Sequence, residues 1–163
     1  MKLLQTLVLA LALGGCASFL GPDSIRTGES QSDVRAKWGA PAAERKLASG
    51  DTAWYYVTGP SSFFTYRVVF GSGGAVKSYA QVLTRGDFMA LPEGASQAAV
   101  LDELGPPMEK MSFARTATEV WTYRWIEGTF EMLADAEFAA GGKLKQIVLV
   151  RDPLFTDSIS PGG

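Results

Sequence analysis

The stretch Gly28-Glu29-Ser30-Gln31-Ser32-Asp33-Val34-Arg35-Ala36-Lys37-Trp38-Gly39-Ala40-Pro41 decides the fold, because the chain contains it twice. The second form is Gly94-Ala95-Ser96-Gln97-Ala98-Ala99-Val100-Leu101-Asp102-Glu103-Leu104-Gly105-Pro106-Pro107, 66 positions later. Ser30 offers a helix N-cap, and Asp33 completes a capping box with Asp in place of the usual Glu. Ser96 with Gln97 marks the second start. Val34 with Trp38, and Val100 with Leu104, are i,i+4 pairs on one helix face. Gly39 and Gly105 fit the left-handed position after a helix end, and Pro41 and Pro107 forbid continuation. The pattern predicts a helix of about two turns, too short to stand without packing.

The match runs on beyond the helix. Trp54 and Tyr56 recur as Trp121 and Tyr123 at an offset of 67. Phe70, Gly73-Gly74 and Val76 recur as Phe138, Gly141-Gly142 and Leu144 at an offset of 68. Such self-similarity reads as a duplicated module, residues 22–87 and 88–155. The connection from Asp87 to Pro92 is too short for a free linker, so the halves are expected to pack together.

Aromatic and branched runs at 54–57 and 120–126 read as strands. So do 63–70, 130–138, 76–83 and 144–151, closed by hairpin turns at 71–74 and 139–142. A further strand before Trp54 and before Val120 is in keeping with the Ser49-Gly50-Asp51 turn. The expected class is α+β: two tandem modules, each a short helical segment followed by a three- or four-stranded antiparallel meander. Alternation puts Ser62, Phe64, Tyr66, Val68 and Phe70 on one core face, and Phe130, Met132, Ala134, Ala136 and Phe138 on the other. The opposite faces carry Phe63, Thr65, Arg67 and Val69 in the first half, and Glu131, Leu133, Asp135 and Glu137 in the second. Phe63, Arg67, Val69, Glu131, Asp135 and Glu137 are therefore the candidate binding surface. The face with Phe63 and Val69 could equally be covered by the other module.

The chain has 163 residues, no histidine and one cysteine. No His-based general base, Ser-His-Asp triad or His-rich zinc site can exist, nor any intrachain disulfide. With 15 Lys+Arg against 17 Asp+Glu, no electrostatic footprint of nucleic-acid binding is present.

The cysteine is explained by its position. Lys2 precedes residues 3–13, which are apolar apart from Gln5 and Thr6. As a helix this run spans about 16 Å, half a bilayer, so it reads as a signal-peptide core within residues 1–15. An ordinary secretory peptide with a stray cysteine, or an uncleaved anchor, is the bland alternative. Leu13-Gly14-Gly15-Cys16 resembles the lipobox of bacterial lipoproteins. The resemblance implies cleavage between Gly15 and Cys16, lipid attachment at Cys16 and a tether over 16–21. Ala17 in place of Asp implies, by the same likeness, sorting to the outer membrane, with the chain on its periplasmic face.

The motif Ile25-x-x-Gly28-x-Ser30-x-x-x-Val34-x-x-x-Trp38-Gly39-x-Pro41 and its copy Leu91-x-x-Gly94-x-Ser96-x-x-x-Val100-x-x-x-Leu104-Gly105-x-Pro107 resemble the SmpA/OmlA (BamE-like) lipoprotein family. The tandem arrangement also resembles a β-lactamase-inhibitor-protein-like architecture. The family resemblance implies a non-enzymatic accessory of β-barrel assembly or envelope integrity, with Gly28, Val34, Gly39, Pro41, Gly94, Val100, Gly105 and Pro107 as fold determinants.

Other constellations have bland readings. Gly71-Ser72-Gly73-Gly74 lacks the Lys-Ser/Thr of a phosphate loop and reads as a hairpin turn. Glu131, Asp135 and Glu137 could form a carboxylate pair or a Ca²⁺ site, but along one strand they read as a solvated face. Lys77 and Ser78 point to opposite faces. Trp54, Tyr56, Trp121, Tyr123 and Trp125 could stack on sugars or bases, and their duplicated positions read as core. From Asp152 onward the chain reads as a frayed Pro/Gly tail, with 156–163 flexible. The expected function is non-catalytic protein–protein contact in the envelope, with no cofactor, metal, nucleic acid or small-molecule substrate. Partners are the membrane, through the lipid, and envelope proteins, β-barrel assembly components among them. The alternative is a periplasmic inhibitor or ligand-binding module using the surface between the sheets. A carboxylate hydrolase would need two acids converging in a pocket.

Overall fold

The computed structural model describes residues 24–59 and 62–156, the side chains of Phe155 and Thr156 excepted. The lipobox, Cys16, the tether and the tail beyond residue 156 lie outside the described residues. The fold is α+β, with two four-stranded antiparallel sheets, each preceded by short helical segments. The first half runs α1 (Gln31–Trp38), β1 (Ala43–Lys46), β2 (Thr52–Thr58), β3 (Phe64–Phe70) and β4 (Val76–Gln81). Next come α2 (Arg85–Ala90) and α3 (Gln97–Leu104). The second sheet is β5 (Glu109–Phe113), β6 (Thr118–Glu127), β7 (Phe130–Ala139) and β8 (Lys143–Arg151), followed by α4 (Pro153–Thr156). Both sheets are simple meanders in chain order.

The repeat holds down to single hydrogen bonds. Gly28 N–H donates to Val76 O at 2.8 Å, and Gly94 N–H to Leu144 O at 2.7 Å. Gln31 N–H reaches Gly74 O, and Gln97 N–H reaches Gly142 O, both at 3.2 Å. The Tyr56 hydroxyl donates to Gly39 O at 3.3 Å, and the Tyr123 hydroxyl to Gly105 O at 3.2 Å. Each sheet has a register shift at the same place, Val69/Phe70 and Glu137/Phe138. The two one-residue changes of offset fall in the β1–β2 and β2–β3 hairpins and their copies. They have to, because a slip inside a strand would turn every side chain to the other face.

Ser30 caps α1 as the full box with Asp33, whereas Ser96 caps α3 by one bond from Ala99 N–H at 3.1 Å. Gly39 and Gly105 follow the helices at φ 76°, ψ −157° and φ 77°, ψ −163°. Glycine is needed there, but the conformation is an extended, glycine-only one and not the left-handed helical one expected.

Each half buries its own core. Val34, Trp38, Trp54, Tyr56, Val68, Phe70 and Val76 build the first; Val100, Leu104, Trp121, Tyr123, Ala136, Phe138 and Leu144 occupy the same positions in the second. Burying each large side chain contributes about 2 kcal/mol, which is what holds two-turn helices in place. Trp38 packs edge-on to Tyr56 at 5.1 Å. Where Leu104 replaces it, α2 supplies Phe88, which packs against Trp125 at 5.2 Å. The duplicated tryptophans and tyrosines are thus core.

Three placements differ from the sequence reading. Ser62 is exposed, outside β3, with φ 61°. Phe130 is exposed beneath the Arg151 guanidinium, 4.0 Å from its ring centroid, because the tight Gly128-Thr129 turn carries the hairpin past the core. Asp152 is buried and not frayed: it pairs with Arg124 at 3.1 Å and accepts from Leu154 N–H at 3.0 Å.

Candidate functional site

The outer face of the first sheet, opposite its core, is covered by α3. Tyr55 is fully buried, and its hydroxyl donates to the Asp102 carbonyl at 2.6 Å. Arg67 donates to the same carbonyl at 2.8 Å and to Glu103 Oε2 at 2.5 Å. Arg45 forms an ion pair with the Asp102 carboxylate. The last carbonyls of a helix lack intrahelical partners, and cations near that end are favoured by the helix dipole. Two side chains of the first sheet therefore complete the C-terminal end of α3. Burial pushes the Tyr55 phenol up to about 12, so it remains a donor.

This corrects half of the expected binding surface. Arg67 is part of the contact between the halves. Phe63 is buried, with the Arg124 guanidinium 5.9 Å from its ring centroid. Val69 is half-buried beside Ala53. Alternation separates two faces of a strand but does not say which one another element will cover.

The other half of the surface is open only in part: Glu109, Met111, Gln146 and Val150 are exposed, Glu131, Asp135 and Glu137 are half-buried, and the end at Arg124 is closed by Phe63 and Asp152. The second sheet's outer face runs in three rows: Met111, Val120, Glu137 and Gln146; Glu109, Thr122, Asp135 and Val148; Arg124, Leu133 and Val150. These rows are the repeat copies of the first sheet's outer face, on which α3 meets Arg45, Tyr55, Thr65 and Arg67. Val82 is 3% exposed in the first half, and its counterpart Val150 is 39% exposed. Met111, the counterpart of Arg45, is 48% exposed. The face is mixed: apolar Met111, Val120, Leu133, Val148 and Val150 lie among the carboxylates of Glu109, Asp135 and Glu137. Asp135 accepts from Thr122 Oγ1 at 2.7 Å, and Glu137 from Gln146 at 2.7 Å. Glu131, Asp135 and Glu137 share this face without converging, and among the described residues no group of three His, Cys, Asp or Glu could hold a metal ion.

The concavities offer less. A cleft of about 200 Å³ between the halves is lined by Val57, Thr65, Pro106, Pro107, Tyr123 and Arg124, below the usual size of a ligand site. A larger hollow of about 450 Å³ lies beside Gln97, Ser112 and Glu119. Trp121 and Gln97 donate to the Glu119 carboxylate at 2.6 and 2.7 Å, and these bonds hold its pKa below the usual range. Such a carboxylate is unsuited to general-acid work. Gly71-Ser72-Gly73-Gly74 is a hairpin turn, closed by Gly74 N–H to Gly71 O at 2.9 Å. Lys77 pairs with Asp51 at 2.8 Å.

No protein-family model matches the chain, and no curated protein does. Among solved structures the chain is similar to the crystal structure of a DUF4309 family protein (YjgB) from Bacillus subtilis subsp. subtilis str. 168. The identity is 12%, the TM-score 0.29, and the match covers 76% of this chain and 78% of that one. The SmpA/OmlA (BamE-like) resemblance, together with the β-lactamase-inhibitor-protein-like likeness attached to it, is thereby corrected: no family model supports it. The physical reason lies in the motif itself. Its Gly, Ser, Val and Pro specify a helix start, a core face and a helix stop, which any helix-plus-meander module requires.

Proposed function

We propose that the protein is a lipid-anchored, non-catalytic envelope protein that binds a helical segment of a protein on the outer face of its second sheet. The observation that carries this is the repeat: the same face of the first sheet is occupied by a helix, α3, whereas on the second copy of that face Met111 and Val150 are 48% and 39% exposed. An antiparallel sheet with half-buried apolar rows amid polar groups suits helix docking. The acidic side chains favour a helix with basic residues. Leu13-Gly14-Gly15-Cys16 supports anchoring through diacylglycerol on Cys16, and Ala17 favours the outer membrane. Membership of the barrel-assembly machinery rested on the family resemblance and goes with it.

The test uses the full chain in cells. Cys16→Ala is expected to move the protein from the detergent-rich to the aqueous phase on detergent partitioning. A photo-cross-linker at Met111 is expected to capture protein, and one at Lys77, on the first sheet's exposed last strand, is not. Unchanged partitioning removes the anchor, and equal capture at both positions removes the binding face.

A further inference from the structure

We propose that the helix which docks on the second sheet's outer face is α1 of a second copy of this chain, so that copies join head to tail. The inference rests on the reading that this face binds a helix, and names its occupant. The contact between the halves provides the template. In it, α3 presents Asp102, Glu103 and Gly105 to Arg45, Arg67 and Tyr55. At offsets of 66 to 68, the repeat replaces those helix residues by Ala36, Lys37 and Gly39 of α1. It replaces the sheet residues by Met111, Asp135 and Thr122.

Both sides of the two ion pairs change together, while the glycine facing Tyr55 is kept as Gly39. Arg67 with Glu103 becomes Asp135 with Lys37, the same ion pair with its charges exchanged. Arg45 with Asp102 becomes Met111 with Ala36, two apolar side chains. The helix ends agree in overall sign as well. α3 carries Asp102 and Glu103 over a sheet with Arg45 and Arg67; α1 carries Arg35 and Lys37, and the second sheet offers Glu109, Asp135 and Glu137. Lys37 is held by Glu29 at 2.6 Å and stays 40% exposed, so it can lie between two carboxylates. The end of α1 is open where the end of α3 is covered. A methyl group on Gly105 would collide with Tyr55, and nothing lies within 4 Å of one on Gly39.

Such a contact is heterologous: the surface given and the surface received differ, so association continues from copy to copy as repeats stack within a solenoid. Thr122 fills less space than Tyr55, so each junction is weaker than the contact between the halves.

The experiment co-expresses two differently tagged full-length chains, one with Ala36→Cys and one with Met111→Cys, and treats cells with a short bis-maleimide. The parent chain is the control for Cys16. The expected product is the mixed dimer, reduced about tenfold by Asp135→Lys in the Met111→Cys chain. Lys37→Asp in the Ala36→Cys chain should restore it. Far-UV circular dichroism of each purified variant confirms that it folds. A Met111→Cys chain that cross-links only to a different protein overturns self-docking and leaves the binding face standing. Absence of any product overturns both. A mixed dimer indifferent to the charge exchange overturns the proposed register.

Discussion

Gly105 lies against the ring of Tyr55: a Cβ at Gly105 would sit 2.6 Å from Tyr55 Cδ1, closer than any real contact. Gly39, at the same place in the first half, has the same backbone and open space. Gly105→Ala is therefore expected to destabilise by about 3–5 kcal/mol, from backbone strain plus overpacking, and Gly39→Ala by about 1–2 kcal/mol, from strain alone. Urea unfolding measures both. Equal losses would mean that Tyr55 does not press on α3.

The helix caps differ in the same informative way. Ser30 both accepts from Asp33 N–H and sits in a reciprocal box, and Ser96 makes a single bond. Ser30→Ala should cost about 1–2 kcal/mol and Ser96→Ala about 0.5–1 kcal/mol in thermal unfolding. The reverse order would contradict the box.

Removing the Tyr55 hydroxyl leaves the Asp102 carbonyl with Arg67 as a donor. Tyr55→Phe should cost about 1 kcal/mol. Tyr55→Ala removes a buried ring and should cost about 3–5 kcal/mol. A Phe variant as unstable as the Ala variant would show that the hydroxyl, and not the ring, joins the halves.

Alkaline pH should unfold the protein within a defined window. Burial raises the phenols of Tyr55 and Tyr56 to about 12, and raises that of Tyr123. A phenol that keeps its proton in the fold but loses it when unfolded favours unfolding as pH rises. The stability is present below about pH 10, the ordinary tyrosine value, and is lost as pH climbs through 12. Tyrosinate absorbance and circular dichroism should change together. Tyrosinate forming at Tyr55, Tyr56 or Tyr123 at pH 10 in a folded chain would contradict the burial.

Much of this fold was legible because local signals agreed with one another. Ser30, Val34, Gly39 and Pro41 each specify one step of a helix with its cap, core face and stop, and their recurrence exposed the duplication. α2 was missed although Thr84 and Asp87 form a capping box. Gly86 and Asp87 are poor helix formers, and six residues give too little periodicity to detect. Burial of Phe63 was legible only as one of two equal alternatives, since Arg124, which lies over its ring, is far along the chain. The acidic residues of β7 were placed on the correct face, yet the apolar rows beside them emerged only when β8 supplied Val148 and Val150. The same short motif that gave the fold misled on kinship, because its residues serve packing.

The position of α3 also bears on how the chain acquires its structure. The cover for Tyr55 and Thr65 is encoded after residue 96, so a growing chain displays the first sheet's outer face before its lid exists. Until then, buried-to-be tyrosine and threonine meet solvent, together with two arginines that lack their acidic partners. The first half is thus expected to depend on the second for completion. The interval between the two is when proteases and neighbouring nascent chains have access, which makes the speed of delivering α3 a determinant of yield.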